Sequence, residues 1–470
     1  MDLLSYCFRG IQSHMSTNNA DNASEKRFIQ KCIEPDCQST FGLDEPVYVC
    51  RRCGGLLDIE RSSRSSIDPD TLKLWWHQRL SSGLPQDESG VWRFRESLPF
   101  PDNTEVVTLK EGNTPLYTAR HSADYCRLDA LQLKHQGLNP TGSFKDTGMT
   151  VAVTQAKSLR STMAVCASTG NTAASLAAYA ARAELPCAIL VPADQVSHAK
   201  LAQALDYGAR VVEIEGNFDA CMQLVLELSS EEPIYLVNSI NPFRIEGQKT
   251  VAIELAEQLN WDVPDHLVVP GGNLGNSSAF GKGFRELLDW GLIDLYPRIT
   301  VVQAEGAAPF ARYFVEQGAG NVQFANEEEP ETLASAIKIG APVSWKKAWR
   351  SVNESGGQVI TVSEQEIADA KAIIGRDGIG CEPASATTVA GIKKLVASEF
   401  IRKDSSVVAV LTGHVLKDTE YVIGYHNRSL RTDRGEQIHA TFGNTPLRVP
   451  SSRQSLKDAL QRVRDESGSR

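Results

Sequence analysis

The sequence predicts an α/β protein built around open parallel sheets. Beyond residue 130, short runs rich in β-branched residues alternate with longer helical patterns, which is typical of parallel strands covered by helices. Polar or glycine-rich turns directly follow two of the strand-like runs. With 470 residues, the chain exceeds the size at which one core usually suffices. We therefore expect at least two domains with a cleft between them.

Composition and charge exclude several classes of protein. Hydrophobic residues make up 41% of the chain and charged residues 23%, an ordinary globular balance. The formal net charge of −10 disfavours binding to nucleic acid or to anionic membranes. No apolar run approaches the roughly 20 residues that span a bilayer, and the first residues lack the pattern of a secretory signal. We expect a cytoplasmic protein with no nucleic-acid or membrane partner.

The N-terminal part contains a cluster of cysteines. Residues 1–27 are polar and aperiodic and include a second Met at position 15, so we expect either a disordered tail or a misassigned start there. Over residues 28–60, two cysteine pairs predict a small zinc-ribbon-like knuckle, the second pair within a Cys-Arg-Arg-Cys-Gly-Gly segment. The candidate ligands of a structural zinc are Cys32, Cys37, Cys50 and Cys53. Four residues rather than two separate the first pair, so a knuckle without metal stays an alternative.

Two series of strands and helices follow. The first predicts strands at 165–168, 187–192, 210–214 and 234–238, with helices near 171–183, 197–206 and 217–229. These elements would form a small inserted α/β domain over residues 151–244. The second series predicts a helix from 246, a strand at 267–270, a helix from 276, and strands at 299–304 and 407–412. Residues 61–150 and 245–440 would form the large domain, and a C-terminal extension over 441–470 would end in a helix near 453–465.

One lysine stands in an unusual position. Residues 139–146 read Asn-Pro-Thr-Gly-Ser-Phe-Lys-Asp, so turn-forming residues are followed by Lys145 in the first turn of a predicted helix. A cation near the positive end of a helix dipole is disfavoured, and an environment that favours the neutral amine makes it an imine nucleophile. A solvated surface lysine is the alternative.

Two polar turns indicate a ligand that carries phosphate. Residues 168–172, Ser-Thr-Gly-Asn-Thr, lie between a predicted strand and an alanine-rich helix, where backbone N–H groups can face an anion. Residues 271–276, Gly-Gly-Asn-Leu-Gly-Asn, follow a second strand, and their glycines allow the backbone to approach a phosphate closely. The second turn lacks the signature of a nucleotide P-loop or of a dinucleotide fold. A different phosphate-bearing cofactor is therefore favoured.

In this order along the chain, the three segments resemble the fold-type II pyridoxal-phosphate enzymes, the group of tryptophan synthase β. The resemblance implies two open parallel-sheet domains with the cofactor in the cleft. Lys145 would carry pyridoxal 5'-phosphate as a Schiff base, and Asn171 would bond the pyridine 3-hydroxyl. The residues implied for the cofactor phosphate are Gly272, Asn273, Leu274, Gly275 and Asn276. Thr412 would meet the ring nitrogen, and a hydroxyl partner, unlike an aspartate, does not enforce ring protonation.

Within this group the closest resemblance is to the threonine synthase family. The matching segments cover 112–116, 238–250, 336–340, 382–386 and 412–418. The most specific is 238–250, where an arginine with hydroxyl and amide donors suits the phosphate of a substrate. The residues implied for substrate binding are Thr169, Thr172, Asn238, Ser239 and Arg244. For Arg244, a surface ion pair with Glu246 is the alternative.

The resemblance implies a lyase of threonine biosynthesis that converts O-phosphohomoserine and water to L-threonine and phosphate by γ-elimination and β-hydration. A related fold-type II enzyme, either a cysteate-forming synthase or a threonine or serine dehydratase, stays an alternative. A second alternative is a non-catalytic protein that kept the fold and binds a partner or nucleic acid through the knuckle. We expect a homodimer, because dimers are the commonest soluble oligomers.

Overall fold

The computed structural model describes residues 28–62, 67–193, 198–215, 218–318, 320 and 322–468. The tail expected over 1–27 lies outside these residues. The strands, in chain order, are β1 (Phe28–Cys32), β2 (Thr40–Phe41), β3 (Leu57–Arg61), β4 (Leu116–Thr118), β5 (Gln132–His135), β6 (Met163–Ala167), β7 (Cys187–Pro192), β8 (Arg210–Ile214), β9 (Ile234–Leu236), β10 (His266–Pro270), β11 (Arg298–Ala304), β12 (Val359–Val362) and β13 (Val407–Leu411).

Helices cover most of the remaining sequence. In chain order they are α1 (Pro69–Arg79), α2 (Arg120–Cys126), α3 (Lys145–Ser158), α4 (Asn171–Arg182), α5 (His198–Asp206), α6 (Phe218–Glu231), α7 (Pro242–Gln258), α8 (Gly275–Asp289), α9 (Pro309–Gln317), α10 (Trp345–Ser355), α11 (Glu364–Arg376), α12 (Pro383–Ala397), α13 (Thr419–His426) and α14 (Arg453–Gly468). In the described part of the chain, none of these helices is both long and apolar enough to cross a membrane.

The strands form three sheets. The largest has the order β12-β11-β10-β13-β5-β4, with parallel pairing except between β4 and β5. The second is wholly parallel, in the order β8-β7-β6-β9. The third is antiparallel, in the order β2-β1-β3. Strands β10 and β13 are buried along their whole length, as expected for parallel strands with helices on both faces. The predicted α/β class is confirmed.

The order of the elements explains how the site is assembled. The chain leaves the largest sheet after β5, runs through α3 into the four-stranded sheet, and returns through α7 to β10. The helices α3 and α4 and the turn after β10 therefore follow the carboxyl ends of strands. In α/β proteins, ligands bind at such ends.

Most of the predicted elements are confirmed, with two kinds of error. The predicted strands at 187–192 and 210–214 coincide with β7 and β8. The helix predicted from 246 begins instead at Pro242, because the side chain of Asn241 accepts the N–H of Phe243 at 3.0 Å and caps the helix earlier. The strands β4, β5 and β12 were not predicted, since runs of three or four residues carry too little periodicity.

Strand β3 ties the cysteine-containing sheet to the main body through buried charges. The Asp58 carboxylate accepts from Lys282 at 2.9 Å and from Arg350 at 3.2 Å, and Lys347 donates to the Leu57 carbonyl at 2.6 Å. Burial opposes the charged form of Asp58, but the cations Lys282, Lys347 and Arg350 prevail and hold its pKa below the usual range. Truncating one of these partners would leave a buried charge unpaired.

Two glycines let α3 and α7 approach each other closely. A Cβ atom at Gly247 would lie 1.9 Å from the carbonyl oxygen of Thr147, and one at Gly148 would lie 2.8 Å from the carbonyl oxygen of Arg244. Lys145 begins α3, and Arg244 lies in the first turn of α7. The glycine contact therefore sets the spacing between these two residues.

Replacing Gly247 by alanine is expected to lower the free energy of unfolding by about 1–3 kcal/mol, because the added methyl group forces the two helices apart. Urea unfolding measures this loss. The matched control is Gly375→Ala in α11, where an added Cβ meets no atom within 4 Å. There the helix propensity of alanine is expected to raise stability by about 0.5–1 kcal/mol. Equal stabilities for the two variants would contradict the close helix contact.

Candidate active site

Backbone hydrogen bonds place Lys145 beside the end of β13. Ser143 forms an antiparallel bridge with Gly413, and the N–H of Phe144 donates to the carbonyl of Thr412 at 2.9 Å. The residue before α3 is thus paired with the residue after β13. Two segments that are far apart in sequence therefore bring the Lys145 amine and the Thr412 hydroxyl to the same region.

The Lys145 amine lies against an aromatic ring. Its Nζ lies 4.1 Å from the centroid of the Phe144 ring, and within the described residues it forms no ion pair. Burial, assisted by the positive charge of Arg244, lowers the pKa of Lys145 to about 7. A large fraction of the amine is therefore neutral near neutral pH, as a nucleophile or a base requires.

The turn at 168–172 leads into α4 and has an open side. Asn171 is the first residue of α4, and a Cβ atom on the preceding Gly170 would meet nothing within 4 Å. Thr169 and Thr172 are half-buried on the same turn. Asn238 holds the base of this turn, because its side chain both accepts from and donates to the backbone of Ala167, each at 2.9 Å.

The glycine-rich turn after β10 leads into α8. Leu274 has a left-handed backbone with φ +63°, and Gly275 begins the helix. A Cβ atom on Gly275 would find no neighbour nearer than 3.8 Å, so this side of the turn is also open. The first N–H groups of a helix lack partners within the helix and attract anions.

The other residues of this turn are held by neighbouring loops. The Asn273 side chain accepts the N–H of Val343 at 3.2 Å, and the Asn276 amide donates to the Gln136 side chain at 3.3 Å. Gly272 is buried, and a Cβ atom there would lie 3.3 Å from the Ala336 carbonyl oxygen. The turn therefore has a defined shape.

Several buried polar atoms around these turns have no partner among the described residues. They are Nε2 of Gln136, Oδ1 of Asn276 and Nε of Arg244. Buried polar atoms in folded proteins are nearly always hydrogen-bonded, so these atoms indicate a polar ligand. Together with the reactive amine, the two open turns and the Thr412 hydroxyl, they fit a ligand that carries both an aldehyde and a phosphate, as pyridoxal phosphate does.

Arg244 faces inward and is not part of a surface ion pair. It is buried, its Nη1 donates to the Val237 carbonyl at 3.2 Å, and burial lowers its pKa to about 10. Glu246 pairs instead with Lys249, at 2.7 Å, and with Lys282. The ion-pair alternative for Arg244 is therefore wrong. Ser239 is half-buried shortly before α7.

Two acidic residues of the site were missed as functional residues by the sequence analysis. The buried carboxylate of Glu382 accepts from Asn171 and from Thr412, each at 3.0 Å. Asp146 accepts from the N–H of Thr141 at 2.7 Å and from the hydroxyl of Ser175 at 2.6 Å, which ties the lysine-bearing turn to α4. Burial raises the pKa of both carboxyl groups, that of Asp146 to about 6. The segment 382–386 matches the family pattern in sequence, but only the fold shows that Glu382 contacts Asn171 and Thr412.

The four clustered cysteines converge as expected for a metal site. Their sulfur atoms all lie within 4.8 Å of one another. Cys32 and Cys53 are 3.4 Å apart at sulfur, and Cys37 and Cys50 are 3.6 Å apart. Tetrahedral zinc, with Zn–S bonds of about 2.3 Å, separates its sulfur ligands by roughly 3.8 Å. The arrangement therefore has the dimensions of a four-thiolate zinc site.

Comparison with known protein families agrees with this geometry. The family model described as pyridoxal-phosphate dependent enzyme matches residues 107–413. The chain is 19% identical to threonine deaminase isoform 2 of Solanum lycopersicum, with TM-score 0.55, over 76% of this chain and 94% of that one. It is 22% identical to the serine racemase of Dictyostelium discoideum, with TM-score 0.54, over 74% and 98%. These structures show a shared fold. The fold and the family match define a pyridoxal-phosphate-dependent enzyme.

Relatives with higher sequence identity to this chain show which family of pyridoxal-phosphate enzymes it belongs to. The threonine synthase of Methanocaldococcus jannaschii is 45% identical over 396 residues, which cover 84% of this chain and 94% of that protein. The threonine synthase of Methanosarcina acetivorans is 46% identical over 394 residues, covering 84% and 93%. The chloroplastic threonine synthase 2 of Arabidopsis thaliana is 37% identical over 444 residues, covering 93% and 84%. The chain belongs to the threonine synthase family, and it is a pyridoxal-phosphate-dependent lyase of threonine biosynthesis.

Proposed function

We propose that this chain converts O-phosphohomoserine and water to L-threonine and phosphate, with Lys145 as both the cofactor-carrying lysine and the base. The observation that carries the proposal is a buried lysine at the start of α3, whose preceding residue is bonded to Thr412 and whose charge is opposed by the buried Arg244. Two further helix-start turns, at 168–172 and 271–276, each have a side open to a ligand. A phosphate-bearing cofactor and a phosphorylated substrate together require two anion sites and one neutral amine.

The proposed cofactor contacts follow from the turns. The phosphate would be held by backbone and side-chain donors of Gly272, Asn273, Leu274, Gly275 and Asn276. Asn171 would bond the 3-hydroxyl, and Thr412 would meet the ring nitrogen. When bound, pyridoxal phosphate supplies an electron sink that acidifies the protons near the amino group of a substrate. The open sides at Gly170 and Gly275 support this placement.

Lys145 would move the protons of the reaction. Its neutral amine takes the proton from Cα of O-phosphohomoserine and then shuttles protons at Cβ and Cγ. The bond between Cγ and the phosphate oxygen breaks, and phosphate leaves with the electron pair. Cγ gains a proton and becomes the methyl group of threonine, while the oxygen of water forms a bond to Cβ. Cα regains its proton, and the second proton of the water balances the released hydrogen phosphate. One water is consumed and one phosphate is released for each threonine.

Arg244 would hold the substrate phosphate. Its guanidinium is buried, and its Nε is without a partner among the described residues, so it has donors to offer to a dianion. Ser239, Thr169 and Thr172 would add hydroxyl donors. Asn238 supports the site by holding Ala167, and so the turn that bears the two threonines. Charge on the departing phosphate is stabilised most where water is excluded.

The proposed function is tested with purified holoenzyme and two substrate pairs. O-phosphohomoserine with water is expected to yield threonine and phosphate in equal amounts. O-phosphoserine with sulfite is expected to yield no cysteate. The reverse result would replace the proposal with a cysteate-forming synthase. Release of an oxo acid and ammonia from threonine or serine, without threonine synthesis, would favour a dehydratase.

We also propose a structural zinc in the knuckle. Purified protein is expected to contain one zinc per chain by elemental analysis. Cys53→Ser is expected to lose it and to unfold at a lower temperature, since zinc binding contributes to the folding of such small units. Cys187→Ser, outside the cluster, is the control and should keep the metal. Full-length protein that contains no metal after purification with added zinc would contradict the proposal.

We further propose a cytoplasmic homodimer that does not bind nucleic acid. The net charge of −10 supports the absence of nucleic-acid binding. Sedimentation equilibrium of the holoenzyme tests the subunit number.

We propose that the large domain comprises residues 61–150 and 245–440, the inserted domain 151–244, and the extension 441–470. The return of the chain from the four-stranded sheet to β10 supports this division.

A further inference from the structure

Glu382 joins two residues that face the cofactor in the proposed site. It precedes α12, where an acidic side chain often caps its own helix, yet it makes no capping hydrogen bond. Instead Oε2 accepts from Nδ2 of Asn171 at 3.0 Å, and Oε1 accepts from the hydroxyl of Thr412 at 3.0 Å. The buried carboxylate is thus directed to the site rather than to its helix.

The protons around the Thr412 hydroxyl can be assigned from its neighbours. The Ser385 oxygen accepts from the backbone N–H groups of Thr412, at 2.8 Å, and of Gly413, at 3.2 Å. It also lies 3.1 Å from the Thr412 hydroxyl oxygen. Because the lone pairs of Ser385 are occupied, its proton points to Thr412. Thr412 gives its single proton to Glu382, so it has only a lone pair to offer another partner.

A ring nitrogen can bond to this lone pair only if the nitrogen carries a proton. For an unprotonated nitrogen, Thr412 would have to turn its proton toward the ring, and Glu382 would then have to be protonated and donate to Thr412. The carboxyl group and the ring nitrogen therefore share one proton, and the hydroxyl between them relays it. Without Glu382, the Thr412 hydroxyl could donate to an unprotonated ring nitrogen or accept from a protonated one, so it would not fix the protonation of the ring.

The surroundings hold the Glu382 carboxyl group in place. A Cβ atom at Gly413 would lie 2.3–2.5 Å from its carboxyl atoms, so only glycine leaves room for it. The titratable groups that act on it are Lys145, Lys417 and the thiol of Cys381. Burial is the largest effect and raises the pKa of Glu382. A raised pKa brings the carboxyl group closer to a pyridine nitrogen in proton affinity.

We propose that Glu382 is a positioning residue that controls the protonation of the cofactor ring nitrogen through Thr412 while its second oxygen orients Asn171. This inference rests on the proposed function, in which Thr412 meets the ring nitrogen. With Glu382 ionised, the ring nitrogen is held as N–H and withdraws electrons more strongly than a bare hydroxyl partner would allow. The strength of the electron sink is thereby set through Thr412 rather than by an acid bonded directly to the nitrogen.

The test is the ¹⁵N chemical shift of holoenzyme loaded with ring-¹⁵N-labelled pyridoxal phosphate, followed across neutral pH. Wild type is expected to show a protonated nitrogen. Glu382→Gln is expected to shift the signal to that of an unprotonated nitrogen. The amide oxygen would accept from Asn171, and the amide N–H would donate to Thr412, which then turns its own proton toward the ring. Glu382→Asp should recover part of the protonated signal. Glu399→Gln, an exposed acid just beyond the other end of α12, is the control and should match wild type.

The relay can be tested without altering Glu382. Thr412→Val removes the hydroxyl and is expected to uncouple the ring nitrogen, while Thr412→Ser should keep the wild-type shift. If Glu382→Gln does not bind the cofactor, the comparison of Thr412→Val with Thr412→Ser tests whether the hydroxyl relays the proton. Identical shifts in wild type, Glu382→Gln and Thr412→Val overturn the inference.

Threonine synthesis on the same wild-type sample separates the two proposals. An active wild type whose shift equals that of the variants overturns this inference alone. A cofactor-loaded wild type that makes no threonine counts against the proposed function, and the ¹⁵N comparison still decides the role of Glu382.

Discussion

Replacing Lys145 by alanine is expected to abolish threonine formation from O-phosphohomoserine, with a fall in kcat of at least about 10⁴-fold. General acid–base catalysis alone contributes about 10²–10⁴-fold, and the variant also loses the nucleophile that carries the cofactor. Phosphate and threonine release measure the loss. The absorbance band of the lysine-bound cofactor should disappear as well.

A matched surface lysine shows that the effect is specific. Lys403 lies outside the site, and its side chain is 75% exposed. Lys403→Ala should therefore retain the activity and the absorbance of wild type. Substantial threonine synthesis by Lys145→Ala would remove this residue from the proposed mechanism, whereas an unfolded variant, detected by circular dichroism, would call for Lys145→Arg in its place.

Replacing Arg244 by glutamine is expected to raise KM for O-phosphohomoserine and to lower kcat/KM by about 30-fold or more. Truncating one partner of a buried, hydrogen-bonded charge pair costs about 2–5 kcal/mol, and here the partner would be the substrate phosphate. Competitive inhibition by inorganic phosphate should weaken in parallel. Arg244→Lys should recover part of the affinity, because it keeps the charge but loses the planar fork.

The absorbance of the bound cofactor separates substrate binding from cofactor binding. It should be unchanged in Arg244→Gln, since in the proposed site the turn at 271–276, and not Arg244, holds the cofactor phosphate. Arg285→Gln provides the control, because Arg285 is a half-exposed residue of α8 that pairs with Glu354. An unchanged KM for O-phosphohomoserine, or loss of the cofactor band, would contradict the assigned role of Arg244.

The elements that could be predicted from the sequence are those marked by local patterns. The strands β7 and β8, the helix that begins at Asn171 and the glycine-rich turn before α8 each leave a signal within a dozen residues. Periodicity, helix-start residues and turn glycines are all properties of neighbouring positions. The position of Lys145 at a helix start belongs to the same class, and the helix does begin there.

Long-range geometry explains what the sequence analysis missed. The early start of α7 depends on a single capping side chain, that of Asn241. The close approach of α3 to α7 depends on two glycines about a hundred positions apart, which no periodicity connects. The ion-pair alternative for Arg244 failed because Glu246 finds its partners on other turns of α7 and on α8.

The sequence by itself determined the α/β class, the lysine at a helix start, the two turns before helices and the cluster of four cysteines, since each of these features lies in consecutive or closely spaced residues. Only the tertiary structure decided that Glu382 contacts both Asn171, 211 positions away, and Thr412, 30 positions away. Hydrogen bonds between distant segments depend on how strands and helices pack, and packing is a property of the whole chain rather than of any short stretch of it.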